Sequence, residues 1–100
     1  MPGQYSAPGQ RDDGFSYLDH EIAAEKAAAL GRAGEKVERT LAALKAYQGD
    51  EAERTNLLKA AAEAVYAYFI QRELCGMRRH QDVIYEYQIP NQVLARLGAK

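Results

Sequence analysis

Between residues 16 and 47 the apolar side chains fall at three- and four-residue steps: Leu18, Ile22, Ala29 or Leu30, Ala33, Val37, Leu41, Leu44 and Tyr47. That is the period of one helical face. The stripe keeps its phase across Gly31 and Gly34, each of which costs roughly 1 kcal/mol relative to alanine inside a helix, so the spacing predicts one long helix rather than two short ones. Its start is expected near Phe15 or Ser16, where Ser16 can cap and Asp19 completes a Ser-x-x-Asp variant of the capping box. Gln48-Gly49-Asp50 then punctuates the pattern. Gly49 is expected to end the first helix in a left-handed conformation, and Asp50, with Glu53 three residues on, to open the second. So short a connection makes the two helices antiparallel neighbours.

The second helix is read through Leu58, Ala62, Val65 and Phe69 and onward through Ile70, Leu74, Met77 and Ile84, with Gly76 in its interior. The pattern stops between Glu86 and Ile89, because Pro90 disfavours a helical Ile89 and lacks an amide donor. Pro90 opens a short third helix, Asn91 to Leu97, which Gly98 ends. Residues 1–14 hold two prolines, three glycines and one sizeable apolar side chain, Tyr5, and are expected to be a disordered tail. The fold class is therefore all-α: one helical domain over residues 15–100, a long antiparallel helical hairpin plus a short C-terminal helix. Two copies of it can assemble as a four-helix bundle.

Composition changes this picture in one respect. Of the 100 residues 47% are apolar, yet alanine supplies 18 of them and Leu, Ile and Val together only 17. A core built this way is thin and needs close helix packing, which the alanines of 23–33 and 60–67 are expected to provide. Around the second helix, by contrast, Val65, Tyr66, Tyr68, Phe69, Ile70, Leu74, Cys75 and Met77 are spread nearly all the way round. One partner helix cannot cover them, so self-association as a homodimer is expected.

Charge and motifs narrow the chemistry. A net charge of −1 argues against a general polyanion binder. The lone Cys75 excludes an internal disulfide and fits a reducing cytoplasm, and no run of about 20 apolar residues is present to span a membrane. No phosphate-cradling glycine loop, nucleophile elbow or His-x-x-x-His occurs. His20 and His80 could approach across the hairpin with Asp19, Glu21, Glu73 or Asp82 beside them, but the spacing matches no established ligand motif. No metal, cofactor or catalytic residue is assigned, and the chain is read as a non-enzyme.

Two surfaces remain. The junction DVIYEYQIPNQ crowds Tyr85, Tyr87, Ile89, Pro90 and Asn91 where the second helix ends; with Tyr66, Tyr68 and Cys75 these are the candidate partner surface. The alternative set for an anion or nucleic acid is Arg72, Arg78 and Arg79, which the helical repeat allows on one exposed face. The run Arg72-Glu73-Leu74-Cys75-Gly76-Met77-Arg78-Arg79-His80, followed by the junction from Tyr85 to Gln92, resembles a family of small bacterial proteins of unknown function. The resemblance covers the C-terminal third, implies a short helical bacterial protein and supplies no functional residues. The leading expectation is a cytoplasmic protein–protein interaction or self-association module; a small nucleic-acid-binding accessory protein is the alternative, ahead of a metal- or ligand-dependent enzyme.

Overall fold

The computed structural model describes residues 13–99, which form α1 (Asp13–Ala46), α2 (Glu51–Leu74), α3 (Gln81–Glu86) and α4 (Asn91–Leu94), with no strand among the described residues. The all-α hairpin is as expected. α1 is one helix of 34 residues that passes through Gly31 and Gly34 unbroken. It starts earlier than the sequence implied, so Ser16 lies inside the helix and caps nothing; its carbonyl instead accepts a hydrogen bond from His20 Nδ1 at 3.0 Å. Of the tail expected over residues 1–14, residues 1–12 lie outside the described residues.

At the hairpin turn Asp50 caps α2 through Oδ1, which accepts from the Glu53 amide at 2.9 Å. Only this half of the capping box forms, because the Asp50 amide donates to Tyr47 Oη at 3.1 Å and not to Glu53. Gly49 does not take the expected left-handed conformation. Glycine is needed there for room: a Cβ would collide with the Tyr47 ring folded across it.

The largest departure is the end of α2. The apolar spacing runs on through Met77 to Ile84, but the helix stops at Leu74 and Gly76 turns left-handed at φ +91°. The Gly76 amide donates to the Glu73 carbonyl at 3.0 Å and the Met77 amide to the Arg72 carbonyl at 2.9 Å, the two bonds of a Schellman motif. The same device recurs at the end of α3, where Gln88 is left-handed at φ 53°, its amide donates to Tyr85 and the Ile89 amide donates to Ile84. Gln88 is held there by Lys45, whose Nζ donates to its carbonyl at 2.9 Å. A Cβ at Gly76 would meet nothing within 4 Å, so Gly76→Ala isolates the backbone cost. It should destabilise by about 1 kcal/mol, read as a shift of the urea midpoint with unchanged slope.

The core forms where Val37, Leu41 and Leu44 of α1 face Ala61, Ala62, Ala64, Val65 and Tyr68 of α2. Val83, Ile89 and Val93 close it from the C-terminal segment, in which α4 is shorter than the expected 91–97 and the chain turns at Gly98, φ +77°. Ala61, Ala62 and Ala64 of α2 are buried as expected, but Ala67 of α2 and Ala23, Ala24, Ala27 and Ala28 of α1 are exposed. Beyond them α1 runs past the end of α2. At 1.5 Å per residue α1 is about 51 Å long and α2 about 36 Å, which leaves roughly 15 Å of α1 without a helical neighbour. No helix among the described residues is long and apolar enough to cross a membrane.

Candidate interaction surface

Tyr66, Ile70 and Leu74 follow one another at four-residue steps on α2, on the side turned away from Val65 and the core. They stay 48%, 41% and 59% exposed after α3 and α4 have packed. At the end of this stripe Leu74 and Cys75 share an open cleft with Ala23, Lys26, Ala27 and Leu30 of α1. Beyond it, on the overhanging part of α1, Leu18 and Ile22 stand one turn apart and are each 54% exposed. Tyr66 borders the C-terminal turn, where a Cβ on Gly98 would lie 3.6 Å from its ring, whereas Ile70 and Leu74 of α2 and Leu18 and Ile22 of α1 leave apolar side chains exposed on both helices.

The other candidate partner residues separate into two groups. Tyr68 and Ile89 are buried and so are removed from any surface. The Tyr68 ring meets Tyr87 edge-on, centroids 5.8 Å apart at 88°, over Gly34. Tyr87 is half-buried; burial first, then the adjoining Tyr68 side chain and the carboxylates of Glu38 and Glu86, push its hydroxyl up from 10.0 to about 12. These residues seal the core. Pro90 is half-buried at the head of α4, while Asn91 and Tyr85 are exposed, Tyr85 to 86%. Ile84, Tyr85 and Gln88 rim a second open hollow.

The arginine stripe does not form. Arg78 and Arg79 are exposed, but Arg72 is only 6% exposed and points into the junction between α2 and α3. There its Nη2 donates to the Arg79 carbonyl at 2.8 Å and to Asp82 Oδ1 at 3.3 Å, and its Nε donates to His80 Nδ1 at 3.1 Å. His80 in turn bonds Glu73 Oε2 through Nε2 at 3.1 Å and stacks on Phe69, rings 4.1 Å apart and 5° from parallel. The guanidinium also lies 5.9 Å from the Tyr68 ring centroid. The sequence reading placed Arg72 on an exposed face with Arg79, because the seven-residue step returns to nearly the same azimuth. Its position seven residues after Val65, two turns along the same face, was the signal that it points inward. His80 and Glu73 do meet, whereas His20 is bonded to its own helix. Among the described residues no group of three His, Cys, Asp or Glu side chains is placed to hold a metal ion.

No curated protein and no solved structure matches the chain. A family model does match, over residues 8–100, nearly the whole sequence and far more than the C-terminal third that carried the resemblance. The chain therefore belongs to the family of unknown function DUF6665.

Proposed function

We propose that the protein is a non-enzymatic self-association module in which two copies bury the distal half of each other's hairpin. The observation that carries this reading is the Tyr66–Ile70–Leu74 stripe, left open where Leu74 meets the uncovered part of α1. Large side chains that stay half exposed on adjoining helices mark interaction sites more often than isolated surface residues do. Closed twofold pairs are the commonest way for a chain to cover such a face. The half-buried Cys75 in that cleft suits a reducing cytoplasm, where it stays a packing residue. A nucleic-acid role is less well supported, since Arg72 faces inward and leaves Arg78 and Arg79 alone.

The test is the double variant Ile70→Glu with Leu74→Glu. Both positions are solvent-exposed in the single chain, so helicity by circular dichroism should be retained. Burying two carboxylates in an apolar contact should weaken association by about 100-fold or more. Assembly equal to that of the unaltered chain would show that this stripe is not the interface.

A further inference from the structure

Arg72 bridges the α2–α3 junction through His80, the Arg79 carbonyl and Asp82. A guanidinium Nε always carries its hydrogen, so at 3.1 Å His80 Nδ1 has to present a lone pair. The ring proton then sits on Nε2 and is donated to Glu73 Oε2. One face of the ring lies flat on Phe69, with centroids 4.1 Å apart. Only the neutral, Nε2-protonated imidazole satisfies all three neighbours.

We propose that His80 is a proton-operated latch: the neutral ring holds Arg72 and fastens α3 to α2, and protonation at Nδ1 breaks that bond and loosens the junction. An added proton on Nδ1 points at the Arg72 Nε–H, setting donor against donor and cation against cation. The charged groups bonded to the ring are Arg72 and Glu73 from α2; Asp82 of α3 bonds Arg72, and Arg78 and Arg79 in the connection between the helices are exposed. Among the described residues α1 supplies neither an ion pair nor a hydrogen bond to the ring. Glu73 takes the Nε2 proton in both states, and Asp82 bonds Arg72 and not the ring, so neither carboxylate repairs the lost contact.

The consequence reaches α3 through the backbone. The His80 carbonyl accepts the Ile84 amide at 2.9 Å, the first bond of α3, and the Arg72 carbonyl accepts the Met77 amide. A ring that leaves Arg72 therefore pulls on both ends of the 75–80 connection, while the Val37–Val65 core lies outside it. The junction is closed while the ring is neutral and loosens when the ring takes a second proton. The inference is independent of self-association.

The test uses the full chain with His20→Gln, so that His80 is the only imidazole. Nitrogen-15 spectra at about pH 8 should show the Nε2–H tautomer. Amide exchange, expressed as protection factors to remove the intrinsic pH dependence, should show Met77 and Ile84 losing about 10-fold or more protection on titration to about pH 5. Val65 should not change. His80→Asn keeps an acceptor at the Nδ1 position without a titrating group, and should retain protection at both pH values. An Nδ1–H tautomer, constant protection at Met77 and Ile84, or the same acid-induced loss in His80→Asn would each overturn the proposal.

Discussion

Arg72→Met is expected to destabilise the protein by about 3 kcal/mol, which for a domain of this size lowers the melting temperature by roughly 12–24 °C. The loss does not come mainly from the ion pair. Asp82 is 74% exposed on its side chain, and a pair with so wet a partner contributes at most about 1 kcal/mol. The larger share comes from acceptors that methionine leaves without a donor: His80 Nδ1, on a ring with little exposure, and the Arg79 carbonyl. Both contacts are part-buried, so each orphaned acceptor costs toward the lower end of about 1–3 kcal/mol. Methionine keeps the apolar stem, so the change isolates the polar contribution from packing. Thermal melts at neutral pH check it; a variant within 1 kcal/mol of the parent would show that the junction does not depend on this side chain.

Gly34→Leu is expected to cost about 2 kcal/mol net, and Gly31→Ala to gain about 1 kcal/mol, although both glycines sit inside the same helix. A Cβ at Gly34 already lies 3.2 Å from Tyr87 Oη and 3.4 Å from Tyr68 Cε1, so three further carbons must displace a tyrosine pair packed edge-on. Overpacking of that kind costs about 3 kcal/mol, against a helix-propensity gain of about 1. At Gly31 nothing lies within 4 Å, so the propensity gain stands alone. Melts of the two variants should move in opposite directions. Shifts of the same sign would mean that Gly34 is not the point where Tyr68 and Tyr87 close on α1.

These two sites show what the sequence could and could not convey. The turn at Gly49-Asp50, the face of Val37, Leu41 and Leu44, the start of α4 after Pro90 and the turn at Gly98 were legible, because cap residues and periodicity report local preference. The end of α2 was not. Gly76 is tolerated inside helices and the apolar spacing continues past it, so only the Schellman bonds, which depend on where the following chain docks, reveal the stop. From that one error follows the unforeseen overhang of α1. Arg72 failed for a different reason: its seven-residue step to Arg79 suggested an exposed face, whereas the equal step back to Val65 placed it on the core face. Tyr85 and Tyr87, two residues apart at the end of a short helix, looked alike in sequence and took opposite roles.

The account as a whole stands on the distal apolar surface being an interface between copies. Sedimentation equilibrium of the full chain, over about 1 to 100 µM, measures this directly, because a biological dimer of standard interface size should be assembled at the upper end. The expected result is a mass approaching twice the 11.1 kDa of one chain at the highest concentration. A mass that stays at that of one chain through 100 µM would contradict it.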